Sequence, residues 1–306
     1  MSSNCLGIPK SKLSIKDEKS SPNGMDRTPS YSKSLKMSAP LLGVLALGIL
    51  GLTTVSATVD PEVEYAGDMA GRATFFLFFI GYISMGAAFV FFMSERNNVA
   101  EEYRTTMTIS ALIVGIAAFH YYYMRGVYVD TGAVSTDYRY MDWIITVPLM
   151  ALKFPSLVGK DAITDNKVAG LGFTGVCFVG AIIMILFGYL GEIGEIGAWP
   201  GLILGGVGWA MIMVATGLPF GLYDGLGVDN SKIKEELVWS ANALRTFILV
   251  GWIIYPIGYL VGTEIVEVSS GEETMAILYN IADMINKIGF GVVAWMGAKK
   301  ATAAMA

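Results

Sequence analysis

The chain has 306 residues, 54% hydrophobic and only 15% charged, with a formal net charge of −5 and a mean hydropathy of +0.56. Soluble domains carry about 25% charged residues, so a cytosolic enzyme, a nucleic-acid binder and a disordered protein are all disfavoured. Cys5 and Cys177 are too few and too far apart for a disulfide framework, no Cys/His cluster offers a zinc site, and His120 is the single histidine.

Residues 1–36 are rich in Ser and Lys and read as a disordered or targeting extension. Lys33 and Lys36 then precede the apolar run 41–52, and Val55-Ser56-Ala57 follows as a small-residue cleavage signal. Residues 37–57 therefore read as a signal peptide, with Met37 as a plausible start of its own; an additional transmembrane helix is the competing reading. The charge split agrees: residues 1–37 carry seven basic and three acidic groups, net +4, leaving −9 for the remainder.

Residues 58–306 form the remaining domain. A bilayer span needs roughly 20 consecutive apolar residues in a helix, and seven such helices are predicted near 69–94, 103–126, 136–158, 166–190, 197–218, 234–262 and 271–298. The connections 95–104, 159–167 and 219–236 carry Arg96, Arg104, Lys160, Lys167, Lys232 and Lys234, and Lys299 and Lys300 follow the last span. Opposite loops hold Asp130, Asp137, Glu192, Glu195, Glu264, Glu267, Glu272 and Glu273. The positive-inside rule places the N-terminus outside and the C-terminus inside. The expected fold is an all-α bundle of seven transmembrane helices, an integral, multi-pass membrane protein.

Two spans contain charges at membrane depth, where ionisable groups are costly and usually functional. In the last, Asp283 and Lys287 are i, i+4 neighbours on one helix face. Their bland reading is a structural ion pair; the sharper one is that a lysine in an apolar pocket is suited to forming a Schiff base with an aldehyde. In the third, Arg139, Asp142, Thr146 and Lys153 fall near one stripe, since the eleven residues from Asp142 to Lys153 span about three turns and roughly 16 Å. A stripe of proton-exchanging groups is what a proton path requires; Lys153 alone also reads as a lysine snorkelling to the interface. His120, deep in the second span, is either a satisfied packing residue or, beside Asp142, a group that tunes that acid.

These residues resemble those of the microbial (type 1) rhodopsins, specifically the proteorhodopsin-like light-driven proton pumps. The resemblance covers about 65–300 and rests on five segments in order: the stretch His120 to Gly126, Tyr138-Arg139-Tyr140-Met141-Asp142-Trp143-Ile144-Ile145-Thr146-Val147-Pro148-Leu149, Gly188-Tyr189-Leu190-Gly191-Glu192, Trp252-Ile253-Ile254-Tyr255-Pro256, and Asp283 with Lys287. It implies that Lys287 binds all-trans retinal as a protonated Schiff base, that Asp142 is counterion and proton acceptor, and that Asp283 is the second counterion. It further implies that Arg139 lies just outside them, that His120 hydrogen-bonds Asp142, and that Trp143, Thr146, Met150, Trp209, Trp252, Tyr255 and Pro256 belong to the retinal site. An apolar Met150 resembles the green-absorbing forms more than the blue ones. Nothing in these motifs specifies a carotenoid antenna.

One position departs from the family pattern. The cytoplasmic proton donor is usually Glu, and here Lys153 occupies its place; a minority of related pumps also carry lysine there. Asp142 argues against a chloride pump, and Asp142 with Thr146 against the sodium pumps of the family. The implied function is outward, light-driven proton transport, with retinal, protons and the bilayer as partners, a homo-oligomeric state and no nucleic acid. The alternative is a sensory photoreceptor signalling to a partner protein. A retinal-free receptor would leave Lys287 unexplained. Glu192 with Trp199-Pro200 lies in a region that could meet a neighbouring protomer.

Overall fold

The computed structural model describes residues 69–306. The extension 1–36, the signal peptide 37–57 and the first residues of the domain lie outside the described residues.

Seven helical spans account for most of the described chain. They are α1 (Met69–Glu95), α2 (Arg104–Thr131), α3 (Thr136–Val158), α4 (Phe173–Glu192), α5 (Ala198–Thr216), a sixth span of α6 (Glu235–Leu249) and α7 (Ile254–Gly262), and a seventh of α8 (Gly271–Asp283) and α9 (Phe290–Ala303). Each span is long and apolar enough to cross a bilayer, and among the described residues no strand is formed beyond isolated bridges. Helices suit this solvent because they satisfy their own backbone hydrogen bonds where lipid cannot.

Three boundaries differ from the sequence expectation, each for a local reason. α4 begins at Phe173 rather than near 166, because Val168 and Leu171 exchange backbone hydrogen bonds of 2.8 and 2.9 Å in a tight turn. α2 continues to Thr131, until Gly132 adopts a left-handed φ of 71° and its N–H closes on the Tyr128 carbonyl. The last span runs on to Ala303. Ser135 caps α3 by accepting from the Tyr138 N–H.

The packing inverts the usual soluble pattern. Large apolar side chains such as Phe76, Ile80, Phe119, Ile203 and Val207 face outward, whereas Arg139, Asp142, Lys153, Asp283 and Lys287 are at most 1% exposed. One apolar core joins α3 to the later spans, and a second lies mainly between α1 and α2. α4 and α5 approach so closely that a Cβ added at Gly180 would lie 2.7 Å from the Gly208 carbonyl oxygen. Small residues allow this kind of contact between membrane helices. A Cβ at Gly208 would meet backbone atoms of Gly180 and Met184, which cannot swing aside. Gly208→Val should therefore cost about 2 kcal/mol or more, read as a lower thermal midpoint and a lower yield of folded protein.

Candidate functional site: a buried lysine between two carboxylates

The seventh span changes its winding where the site begins. α8 ends at Asp283, and residues Met284–Gly289, including Lys287, form a π-helical turn before α9. Such π turns are uncommon and often occur at functional sites. Lys287 Nζ donates to Asp283 Oδ2 at 2.9 Å, and also to Asp142 Oδ2 across the bundle. An ammonium with two carboxylates leaves an excess negative charge, and the buried Arg139 balances it.

The two carboxylates have unequal surroundings. Asp283 also accepts from Tyr121 Oη at 3.0 Å, Trp143 Nε1 at 3.2 Å and Tyr255 Oη at 2.7 Å. Among the described residues Asp142 accepts from Lys287 alone, and its Oδ1 is buried without a hydrogen-bond partner. Thr146 Oγ1 donates to the Asp142 backbone carbonyl at 3.0 Å, which orients the helix turn rather than the carboxylate. Among the described residues Arg139 makes no ion pair: its Nη2 donates to Asn280 Oδ1 at 3.1 Å and its guanidinium lies 5.2 Å from the Tyr279 ring centroid.

An apolar cavity of about 310 Å³ runs from Lys287 and Asp283 between aromatic side chains. That volume falls at the lower end of the range of small-molecule sites, roughly 300–1,000 Å³. Trp143, Met150, Trp209, Trp252, Tyr255 and Pro256 all line it. Thr146 is fully buried but is not among the lining residues. Trp209 is fixed by its Nε1 donating to the Ile248 carbonyl at 2.8 Å. An apolar, aromatic-lined cavity with a primary amine in its wall fits a flat polyene aldehyde such as retinal.

His120 requires a correction. It makes no hydrogen bond to Asp142; its Nδ1 donates to the Ile116 carbonyl of its own helix at 3.0 Å. The half-buried ring satisfies the nearest acceptor, one turn back, while staying close enough to Asp142 to act on it through charge.

Lys153 does not snorkel. It is fully buried, its Nζ has no hydrogen-bond partner among the described residues, and the nitrogen sits 4.9 Å from the Phe290 ring centroid. Phe290 in turn follows Lys287 by three residues, so it stands on the last span between the two lysines' neighbourhoods.

In the sequence Glu192 is one acid among many on its side of the membrane. The structure turns it inward, where it accepts from Tyr140 Oη at 2.9 Å, Tyr279 Oη at 3.2 Å and Thr136 Oγ1 at 3.2 Å. Glu192 is thus engaged within its own bundle, whereas Trp199 is exposed. Tyr279 connects this cluster to Arg139 through its ring. No local spacing reveals the cluster, because its members come from three separate spans.

Residues 72–301 match the family described as bacteriorhodopsin-like protein. The chain is 38% identical over 215 residues to a green-light absorbing proteorhodopsin from Gamma-proteobacterium EBAC31A08, covering 70% of this chain and 82% of that one. It is 37% identical over 261 residues to a blue-light absorbing proteorhodopsin from Gamma-proteobacterium Hot 75m4, covering 83% and 98%. Among solved structures it is similar to Exiguobacterium sibiricum rhodopsin, with a TM-score of 0.63, 31% identity, and coverage of 76% and 99%. Xanthorhodopsin, described as a light-driven ion pump with dual chromophore, gives a TM-score of 0.64 at 27% identity, with coverage of 76% and 94%.

Proposed function

From the chain's membership of the bacteriorhodopsin-like family, we propose that it is a light-driven pump exporting protons. It is an integral, multi-pass membrane protein whose cofactor is retinal, held covalently as a Schiff base, and it is a transporter rather than an enzyme. The observation that carries the pump reading is Lys287 Nζ, held between Asp142 and Asp283 in the wall of an aromatic-lined cavity. Bound all-trans retinal supplies the light absorption and the isomerisation that drive the cycle.

The residues divide the work by their surroundings. Asp283 keeps its charge, because three further hydrogen-bond donors stabilise its ionised form. Asp142, which gives up only its contact with Lys287, takes the proton from Lys287 Nζ. Lys153, about three turns along α3 from Asp142, then takes a proton from the cytoplasm and passes it to Lys287 Nζ. A standing ammonium without hydrogen-bond partners is costly in an apolar site, so Lys153 holds its proton only in passing, with the Phe290 ring face beside it.

Neutralising Asp142 removes the charge that Arg139 balances. Arg139 then acts on the Glu192 cluster through Tyr279, and the Glu192 carboxylate, held by Tyr140 and Tyr279, takes up the proton leaving Asp142 and passes it outward. Glu192→Gln removes the proton-accepting carboxylate but keeps an acceptor for the tyrosines. It should delay proton appearance outside by about tenfold or more, while leaving proton loss from Lys287 Nζ unchanged, as followed with a pH-sensitive dye alongside flash spectroscopy.

This reading puts the Lys299-bearing end in the cytoplasm and the Glu192 end outside, in keeping with the basic and acidic loops. Residues 37–57 serve as the signal peptide, and protomers assemble as homo-oligomers. Met150 lines the slot and sets an apolar environment for a green-absorbing band. Light-dependent acidification outside intact cells tests the pump against the sensory photoreceptor, which would be coloured without moving protons.

A further inference from the structure

Two departures from α-helical winding face each other beside the cavity. Between α6 and α7 the chain passes through a 3₁₀ turn, Gly251–Ile253, whose Trp252 lines the cavity. Across from it lies the π turn Met284–Gly289, which carries Lys287. A side chain joins the two: Asn286 Nδ2 donates to the Gly251 carbonyl at 2.9 Å. Each end of this bond immediately precedes a cavity residue, Trp252 after Gly251 and Lys287 after Asn286.

We propose that Asn286 is a positioning residue that ties the 3₁₀ turn to the π turn and so sets Trp252 against Lys287. Segments of this kind lie outside the regular i→i+4 ladder and mark places where a helix bends or shifts. A bond between them couples a movement of the lysine to the sixth span. Asn286 is fully buried and its Oδ1 has no partner, so its donor side alone holds the amide. Gly251 completes the fit, since a Cβ there would collide with Asn286 Oδ1. Overpacking against a buried amide displaces one group or the other.

The inference rests on Lys287 as the retinal attachment, and its test uses the full chain reconstituted with all-trans retinal. Asn286→Leu removes the donor at similar volume, and Gly251→Ala reaches the same bond without removing a buried polar group. Each should shift the absorption maximum in the dark. Each should also slow proton return to Lys287 Nζ about tenfold, the rate equivalent of one net hydrogen bond, with proton departure to Asp142 within about twofold of the parent. Gly251→Ala/Asn286→Ala should be no slower than Asn286→Ala alone, because the collision then has no partner. Unchanged absorption and return rate in both single variants would overturn the tie, as would a lowered thermal midpoint alone or additive effects in the double variant. A colourless parent protein would instead remove the retinal assignment, and the tie with it.

Discussion

Asp142→Asn should leave a coloured protein that moves no protons. The substitution keeps the shape of the side chain and removes its charge and its capacity to take the proton from Lys287 Nζ. Lys287 retains Asp283, 2.9 Å away, so a counterion for the lysine persists. The variant leaves Lys287 and Arg139 with one buried carboxylate fewer, and breaking a buried pair in this way costs about 3–5 kcal/mol. Light-driven transport per coloured molecule should fall at least about 100-fold, in the range set by losing a positioned acid–base group. It is measured as the initial rate of pH change against absorbance. Transport near the parent rate would transfer the acceptor role to Asp283. Asp283→Asn is the more damaging change structurally, because the donors of Tyr121, Trp143 and Tyr255 converge on that carboxylate, and each donor left unsatisfied costs about 1–3 kcal/mol.

Lys153→Ala should fold and still lose its proton from Lys287 Nζ on schedule, but proton return should slow by about 10²- to 10⁴-fold. Folding survives because two effects oppose each other: truncation leaves a cavity, while it also removes an amine buried without a hydrogen-bond partner. Lys153→Met keeps most of the volume and separates packing from proton chemistry; it should match Lys153→Ala in rate and the parent in thermal midpoint. Flash spectroscopy at the absorption band reads both steps. An unchanged return rate in both variants would assign the refilling proton to water reaching Lys287 without Lys153.

Much of the architecture is legible in the amino-acid order, because apolar runs of span length have few other uses. The misplaced start of α4 shows the limit: an apolar pattern does not distinguish a tight turn from a first helical turn, and Val168 to Leu171 spend their backbone bonds on each other. Asp283 and Lys287 meet because i, i+4 spacing keeps them together even though Lys287 sits in a π turn. The π turn itself has no sequence mark, having neither Pro nor a paired Gly and Ser. The burial of Arg139, Asp142, Thr146 and Lys153 along α3 follows from periodicity, whereas what each touches does not. His120 illustrates this, since its spacing from other groups says nothing of its bond to the Ile116 carbonyl. Glu192, Tyr140 and Tyr279 become a cluster only when α3, α4 and α8 pack, and the Asn286 contact with Gly251 likewise joins residues 35 apart.

The most direct test of the central claim is external pH under illumination, in an unbuffered suspension of cells expressing the chain with added all-trans retinal, with and without a protonophore. Coloured cells should acidify the medium in the light, and the protonophore should abolish the acidification. Coloured cells whose medium stays at constant pH would contradict the pump and leave Lys287 at the centre of a photoreceptor.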